Sequence, residues 1–237
     1  MGVRVVDLSQ EIYQGMPVFP LHQKTFIFPN IDHATSERLI GFGFATNNLL
    51  INEHGPTHTD APYEYDPQGP TVDEVPLHYY YGPAVCLDVS WVSPDGYIRR
   101  PDLARALSGA GITLADKRVV LLHTGHFRRA YGTDEWLTRY AGLDEEAGEW
   151  LAAQGILNIG VDAPSIDNPA DPRFSGHLVC RRHGLVNTEN LCHLEQVAGR
   201  EFLYFGLPLR IRRGTGSPVR AVAVLVEGEA GAGQGGP

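Results

Sequence analysis

The sequence predicts an α/β fold: a single domain with a mixed central β-sheet, barrel-like in form and flanked by helices. Three observations support this. Short runs rich in Val, Ile and Leu are bounded by turn residues, as in buried strands. Two stretches show helical spacing of apolar residues, and a strand-like run follows each of them, which is the order of α/β proteins.

The predicted strands are residues 3–8, 47–51, 84–89, 118–122, 156–161 and 221–226, and the predicted helices are residues 101–110 and 144–154. Pro101 suits a first helical turn, and apolar residues recur at helical spacing from Leu103. In the second helix Ala147 and Leu151 share one face, and Gly155 follows its end.

Residues 1–227 are predicted to form one domain, because no linker-like composition interrupts them. The remaining segment, GEAGAGQGGP at residues 228–237, is rich in Gly and Ala and has nothing to bury. We expect this tail to be disordered.

Composition excludes several classes of function. The formal net charge is −9 and basic residues form no block, so we expect no nucleic-acid partner. No apolar run of about 18 residues occurs, so no membrane partner is expected. The three cysteines, Cys86, Cys180 and Cys192, have neither disulfide-framework nor zinc-ribbon spacing. A cytoplasmic protein with buried thiols is the prediction.

The informative segment is HGPTHTDAPYE, residues 54–64, which follows a strand-like run and is expected to be a loop. His54, His58 and Asp60 place two imidazoles and a carboxylate close together on a backbone stiffened by prolines. Each histidine alone would fit an ordinary loop, hydrogen-bonded to backbone or water. The full set favours a metal site for Zn²⁺, Mn²⁺ or Fe²⁺, because three titratable groups this close need a compensating cation.

Three ligands rarely complete a site. Candidates for the rest lie in SGHLVCRRHGLVNTEN, which contains His177, His183 and Glu189. Spacing alone does not choose between His177 and His183.

The first segment resembles the HxGTHxDxPxH motif of the cyclase superfamily, which includes bacterial kynurenine formamidases, isatin hydrolases and some polyketide cyclases. The other matching segments follow in the family's order: VDLSQEI with MPVFP, PL with YGPAVCLDVS, LHTG, GVDAPSID, and GLP with SPVR. The resemblance covers nearly the whole chain and implies a swivelling β/β/α fold.

The resemblance also implies site residues. His54, His58 and Asp60 match the family's first three metal ligands, and His177 with Glu189 match its later pair. One or two divalent ions, Zn or Mn, are implied. In members with two ions Asp60 would bridge them. A homodimer or homotetramer is also implied, in which a site can borrow residues from a neighbouring subunit.

Two departures from the motif stand out. Pro56 replaces a glycine, so the turn between the histidines must be built differently. Glu64 replaces the motif's last histidine, and we predict that it serves as a catalytic base or a ligand rather than as a solvated loop residue.

Residues elsewhere are assigned less directly. His126 follows a predicted strand, where α/β folds present groups to substrates, and we assign it to the substrate-binding pocket. Arg181 and Arg182 are interpreted as a solvated face, although either could receive a substrate carboxylate.

The predicted function is metal-dependent hydrolysis of a small amide, arylformamide or lactone by activated water. No GxSxG motif supports a serine nucleophile. The alternatives are a metal-dependent polyketide or small-molecule cyclase, and a non-catalytic metal- or ligand-binding protein on the same scaffold.

Overall fold

The structure is a computed structural model that describes residues 2–227. The tail predicted to be disordered, residues 228–237, lies outside the described residues. The strands are β1 (Gly2–Asp7), β2 (Phe26–Ile31), β3 (Thr46–Leu50), β4 (His58–Asp60), β5 (Tyr81–Asp88), β6 (Tyr97–Ile98), β7 (Val119–His123), β8 (Gly142–Leu143), β9 (Asn158–Val161), β10 (Val186–Glu189), β11 (Arg200–Phe205), β12 (Gly216–Pro218) and β13 (Val222–Glu227). The helices are α1 (His33–Ile40), α2 (Arg100–Ala110), α3 (His126–Ala130), α4 (Glu145–Ala153) and α5 (Ser175–His183).

The central sheet is mixed and has the strand order β1-β13-β11-β5-β7-β9-β10-β4-β12. The strands β5, β7, β9 and β10 run parallel to one another, and the strands on either side pair antiparallel. Helical crossovers between parallel strands place α2, α4 and α5 against the sheet. The α/β prediction is therefore confirmed.

Both faces of the parallel centre of the sheet are buried, as such strands require. Side chains of β7 alternate between two cores: Val120 and Leu122 pack under the helices, and Val119 and Leu121 pack on the opposite face. This explains why residues 119–122 of β7 are all apolar rather than alternating with polar residues.

The two predicted helices are confirmed with small shifts of their ends. In α2 the buried residues are Leu103 and Ala106, and in α4 they include Ala147 and Leu151. Asp144 accepts hydrogen bonds from two backbone N–H groups at the start of α4, which is why that helix begins one residue later than predicted. The sequence analysis did not predict α1, α3 or α5.

Within residues 2–227, β2 and β3 pair with each other and with no other strand, and α1 lies between them in the sequence. We call residues 26–50 the arm. Most of its apolar side chains are exposed, among them Phe28, Leu39, Ile40 and Phe42. The arm buries few of its own residues and so lacks a core. A two-stranded hairpin of this kind is only marginally stable in water on its own.

None of the helices in residues 2–227 has the length and apolar character needed to cross a bilayer. The three cysteines are all buried, and none forms a disulfide.

Candidate metal centre

The turn that presents His54 is built around Asn52. The Asn52 side chain accepts a hydrogen bond from the backbone N–H of His54 at 2.9 Å, and its carbonyl accepts one from Gly55 at 3.1 Å. Such an Asx turn needs no residue with positive φ, so Pro56 fits where the family motif has glycine.

The strand β4 follows this turn directly. We expected a loop here, but residues 58–60 form a short buried strand with β10 on one side and β12 on the other. Alternate residues of a strand share a face, so His58 and Asp60 point the same way. Nδ1 of His54 lies 2.6 Å from Oδ1 of Asp60, and Nε2 of His58 lies 3.2 Å from the same oxygen.

The second group of predicted ligands reaches the same place from later in the chain. Glu189 lies opposite His58 in the β4–β10 register, with Oε2 3.6 Å from Nε2 of His58. His177, near the start of α5, has its Nε2 atom 3.6 Å from Oδ2 of Asp60 and 3.8 Å from Oε1 of Glu189. His183 lies at the outer end of α5 and contacts Glu149 instead, at 2.6 Å.

Two sets of three side chains could each hold an ion, and Asp60 belongs to both. The sets are His54, His58 and Asp60, and Asp60, His177 and Glu189; the nitrogen and oxygen atoms within each set lie within 4.8 Å of one another.

Buried hydrogen bonds aim these side chains at a common point. Nδ1 of His58 donates to the carbonyl of Pro56 at 2.8 Å, and Nδ1 of His177 donates to Asp167. In both rings Nε2 is left facing the cluster. Histidine ligands of metals characteristically use their second nitrogen in this way, so the donor set fits a divalent cation.

Asn187 links the two carboxylates. Its amide nitrogen donates to Oδ2 of Asp60 at 2.6 Å and to Oε1 of Glu189 at 3.0 Å. The backbone N–H of Ile166 gives Glu189 a further bond at 2.8 Å. These donors hold two like charges near each other in a buried place, which costs energy unless a cation joins them.

Without a cation, this crowding shifts the pKa values of the clustered side chains. Burial and the charge of Asp60 raise the pKa of Glu189 well above its usual range. Burial alone would lower the pKa of His54, but the adjacent Asp60 carboxylate raises it to about 9. Burial likewise opposes ionisation of Asp60, yet the charges of His58 and His54 hold its pKa well below the ordinary value.

Glu64 ends a 3-10 turn, Pro62–Glu64, at the edge of the cluster. Its Oε1 lies 3.6 Å from Nδ1 of His54, and its side chain is 30% exposed. Partial burial, followed by the charge of Asp60, raises the pKa of Glu64 to about 8. A carboxyl group that can hold or release a proton near neutral pH therefore lies beside the proposed ligands.

The cluster forms the floor of a cleft of about 410 Å³. The walls are mostly apolar and aromatic, and they include Phe19, Trp136, Leu137, Phe174 and Leu178. The conformation of Phe174 is unusual for a non-glycine residue, with a φ of 54°, and its side chain is exposed at the cleft. Strained backbone of this kind is concentrated at ligand-binding sites.

The structure does not bring His126 to this cleft. Its ring is fully buried and stacks on Trp136 with centroids 4.8 Å apart. Nε2 donates to the carbonyl of Trp136, and Nδ1 accepts from Arg129, each at 2.8 Å. The assignment of His126 to the substrate pocket is therefore corrected: both ring nitrogens have partners, and His126 supports Trp136 from behind.

His22 is a cleft residue to which the sequence analysis gave no role. Its ring lies in the wall of the cleft, 5.7 Å from the ring of His54. Its Nδ1 atom is buried and has no hydrogen-bond partner among residues 2–227. Burial, followed by the charges of His54 and His58, lowers its pKa, which favours a neutral imidazole. No sequence signal distinguished His22, because its contacts are made only in the folded chain.

The two arginines of α5 differ in position. Arg182 pairs with Glu145 and Glu149 on the outer surface, as a solvated face predicts. Arg181 lines the cleft, and within residues 2–227 it makes no ion pair. Because His177 and Arg181 are four residues apart in one helix, they share a face, about 6 Å apart along the helix axis.

Other segments that resemble the family's sequence form hydrogen bonds around the site. Thr57 donates to the carbonyl of Asn190 at 2.6 Å and accepts from the backbone N–H of Gln10 at 2.9 Å. Asp162 accepts bonds from the N–H and hydroxyl of Thr124 and from the N–H of Gly125.

Comparison with known proteins identifies the family. The sequence model of the family described as "Putative cyclase" matches residues 6–168. The chain belongs to the cyclase family. Its relatives include a kynurenine formamidase of Paracidovorax citrulli, 33% identical over 91% of this chain and 94% of the relative. A kynurenine formamidase of Salinibacter ruber is 29% identical over 92% of this chain and 96% of the relative.

Solved structures of the cyclase family share the fold. Isatin hydrolase A from Labrenzia aggregata, bound to benzyl benzoate, superimposes with a TM-score of 0.83 at 26% identity, covering 95% of this chain and 94% of that one. Isatin hydrolase A from Ralstonia solanacearum gives 0.83 at 25% identity, covering 94% and 92%. Together with the clustered histidines and carboxylates, these relatives make the protein a metal-dependent hydrolase with a metal-binding site, as predicted.

Proposed function

We propose that the protein hydrolyses a small arylformamide, releasing formate and an aromatic amine. The observation that carries this proposal is the position of the His54–Asp60–Glu189 cluster at the floor of a cleft with aromatic walls. The kynurenine formamidase and isatin hydrolase relatives support an aromatic amide as the substrate.

The proposed metal ligands are His54, His58, Asp60, His177 and Glu189. A divalent ion held by them would supply the Lewis acidity that amide hydrolysis needs. Two imidazoles and a carboxylate in the first set, and one imidazole with two carboxylates in the second, suit Zn or Mn. The shared Asp60 favours two neighbouring ions over one.

The proposed role of Glu64 is proton transfer. Its carboxylate takes one proton from the attacking water and passes it to the amine nitrogen as the C–N bond breaks. The second water proton stays on the new carboxyl group and goes to solvent when formic acid ionises to formate. A general base must lie within reach of the reacting water, and Glu64 lies at the edge of the ligand cluster, with Oε1 3.6 Å from Nδ1 of His54. The 30% exposure of its side chain leaves room for water beside it.

The apolar wall fits the aromatic part of the substrate. Phe19 and Phe174 are exposed at the cleft and can contact an aromatic ring. Trp136 is buried in the wall behind them, where the ring of His126 stacks on it. The cleft volume lies in the lower part of the range for small-molecule sites, roughly 300–1,000 Å³. This favours a one-ring or two-ring substrate over the longer chain that a polyketide cyclase would enclose.

Arg181 is proposed to receive an anionic substituent of the substrate. Arg181 lines the cleft about one helical turn beyond His177 and has no carboxylate partner of its own in the part of the chain described.

We further propose a homodimer or homotetramer assembled through the arm. Exposed apolar side chains are concentrated there, and monomers rarely leave such patches uncovered. The buried, unpaired cysteines support the cytoplasmic location, which stays a prediction.

The test is a panel of substrates given to protein reconstituted with Zn²⁺ or Mn²⁺. We expect hydrolysis of formanilide and its ring-substituted analogues, with metal content of one or two ions per chain. If the protein hydrolysed only lactones, the proposed amide substrate would be wrong and an ester would take its place. Metal binding without turnover of any substrate would favour the non-catalytic alternative.

A further inference from the structure

His54 is backed by two residues outside the proposed ligand set. Its Nε2 atom lies 2.8 Å from the hydroxyl oxygen of Thr215, on the side of the ring opposite Asp60. The hydroxyl and backbone N–H of Thr215 both donate to Oε2 of Glu53, at 2.7 and 3.0 Å. Glu53, Thr215 and His54 thus form a continuous chain of hydrogen bonds that ends at the cluster.

The donors in this chain can be assigned because an ionised carboxylate only accepts. The single hydroxyl hydrogen of Thr215 is committed to Glu53, so its oxygen can only accept from the imidazole. Nε2 of His54 must therefore carry a hydrogen, and in the neutral ring Nδ1 keeps its lone pair.

That lone pair meets another acceptor. Nδ1 of His54 lies 2.6 Å from Oδ1 of Asp60, and two acceptors approach this closely only with a cation or a proton between them. His58 and His177 show the reverse arrangement, because Nδ1 carries the hydrogen in each and Nε2 faces the cluster.

We propose that Glu53 and Thr215 are positioning residues that hold His54 in its Nε2–H form, so that it binds the metal through Nδ1. The inference rests on the proposed function, since it needs the cluster to bind a divalent ion. His54 then uses the opposite ring nitrogen from His58 and His177.

Gly216 completes the seat of the ring. A Cβ atom at position 216 would lie 2.6 Å from Cε1 and 3.1 Å from Nδ1 of His54. The ring therefore lies directly against the backbone of β12, and Thr215 immediately precedes that strand. The backbone contact from Gly216 and the hydrogen bond from Thr215 therefore come from adjacent residues. Together they set the position of the His54 ring and the nitrogen that carries its hydrogen.

The test compares Thr215→Val with Thr215→Ser. Valine keeps the shape and removes the hydroxyl, whereas serine keeps the hydroxyl. We expect Thr215→Val to bind Zn²⁺ roughly 10–100-fold more weakly in a chelator competition, the usual cost of losing an orienting partner. Thr215→Ser should stay within about 3-fold of the unmodified protein, a difference far smaller than that cost. Thermal unfolding of each variant checks that it is folded.

A second measurement reads the tautomer directly. In Zn²⁺-loaded protein labelled with ¹⁵N-histidine, long-range ¹H–¹⁵N spectra should show His54 with hydrogen on Nε2, and His58 and His177 with hydrogen on Nδ1. Hydrogen on Nδ1 of His54, or unchanged Zn²⁺ affinity in Thr215→Val, would overturn the positioning role alone. If the unmodified protein bound no Zn²⁺ or Mn²⁺, the metal centre itself would be refuted, and the positioning role with it.

Discussion

Asp167 accepts a hydrogen bond from Nδ1 of His177, and the Nε2 atom of that ring faces Asp60 and Glu189. The other carboxylate oxygen of Asp167 accepts from the backbone N–H groups of Gly176 and His177. One side chain therefore fixes the first turn of α5 and the orientation of the ring that α5 carries.

We expect His177→Ala to lose metal affinity by more than the roughly 10–100-fold that follows loss of an orienting partner. The matched control is His183→Ala on the same helix, which removes only an exposed pair with Glu149, worth about 0.2–1 kcal/mol. Elemental analysis after dialysis measures both variants. Equal metal content in the two would contradict the assignment of His177.

Glu64→Gln keeps the shape of the side chain and removes its capacity to accept a proton. We expect kcat to fall by roughly 10²–10⁴, with a much smaller change in KM, because the lost group acts on the chemical step. Glu146→Gln, on the exposed outer side of α4, is the control and should leave kcat unchanged. Turnover like that of the unmodified protein in Glu64→Gln would show that Glu64 is only a solvated loop residue.

The metal-free protein should lose stability as the pH rises. Glu64 is raised from 4.5 to about 8 and His54 from 6.5 to about 9, so both pKa values are higher in the folded state. Each group's contribution is complete below its unfolded pKa and is lost as pH rises through the folded value. The two shifts together span the range from about pH 5 to about pH 9. Over this range the thermal unfolding midpoint should fall by about 2–4 °C for each kcal/mol of stability lost.

Added Zn²⁺ should reverse this trend, because deprotonated ligands bind the ion more tightly as pH rises. Calorimetry in buffers of different ionisation enthalpy should show proton release on binding. A pH-independent midpoint in the metal-free protein would mean that the cluster does not retain its protons.

Arg181→Gln should raise KM for arylformamides that carry a carboxylate by roughly 10–100-fold, since a hydrogen bond to a charged group is worth about 1.5–3 kcal/mol. KM for uncharged formanilide should change little. The control is Arg182→Gln, which removes a positive charge from the same end of α5 but on its outer side. It should leave KM unchanged for both substrates. An equal rise in KM for charged and uncharged substrates would refute recognition of an anion.

The arm gives a prediction about assembly. Replacing Leu39 and Phe42 together by serine should shift the mass measured by light scattering from a multiple of the chain mass toward that of one chain, because both side chains are exposed and apolar. Leu77→Ser, at an exposed leucine outside the arm, is the control. An unmodified protein that measures as a single chain would contradict the proposed oligomer.

The sequence predicted the elements whose patterns are local. Central strands such as β7 are continuous apolar runs, and α2 and α4 have regular apolar spacing with clear ends, so the pattern alone found them. The sequence analysis missed α5 because no ordinary capping residue precedes it and Gly176 lies in its first turn. The residue before the helix is Phe174, in a left-handed conformation. In the arm, the sequence analysis missed β2 and α1. These two elements bury few residues, so no regular spacing of apolar residues marks them.

The site divides in the same way. His54, His58 and Asp60 are close in sequence, so their spacing was informative. His177 and Glu189 needed the family resemblance, because spacing carries no information about contacts between distant segments. Asp167, Asn187 and Thr215 contact the proposed ligands through hydrogen bonds that exist only after folding, and no residue pattern marks such partners.

The pairing of β4 has a consequence for the order of events during synthesis. Both sheet neighbours of β4, the strands β10 and β12, come from the last quarter of the chain. A nascent polypeptide that has exposed His58 and Asp60 beyond the ribosome still lacks the strands that hold them in line and the Glu189 carboxylate opposite. We therefore expect stable binding of an ion at the proposed site only after the C-terminal strands have been synthesised.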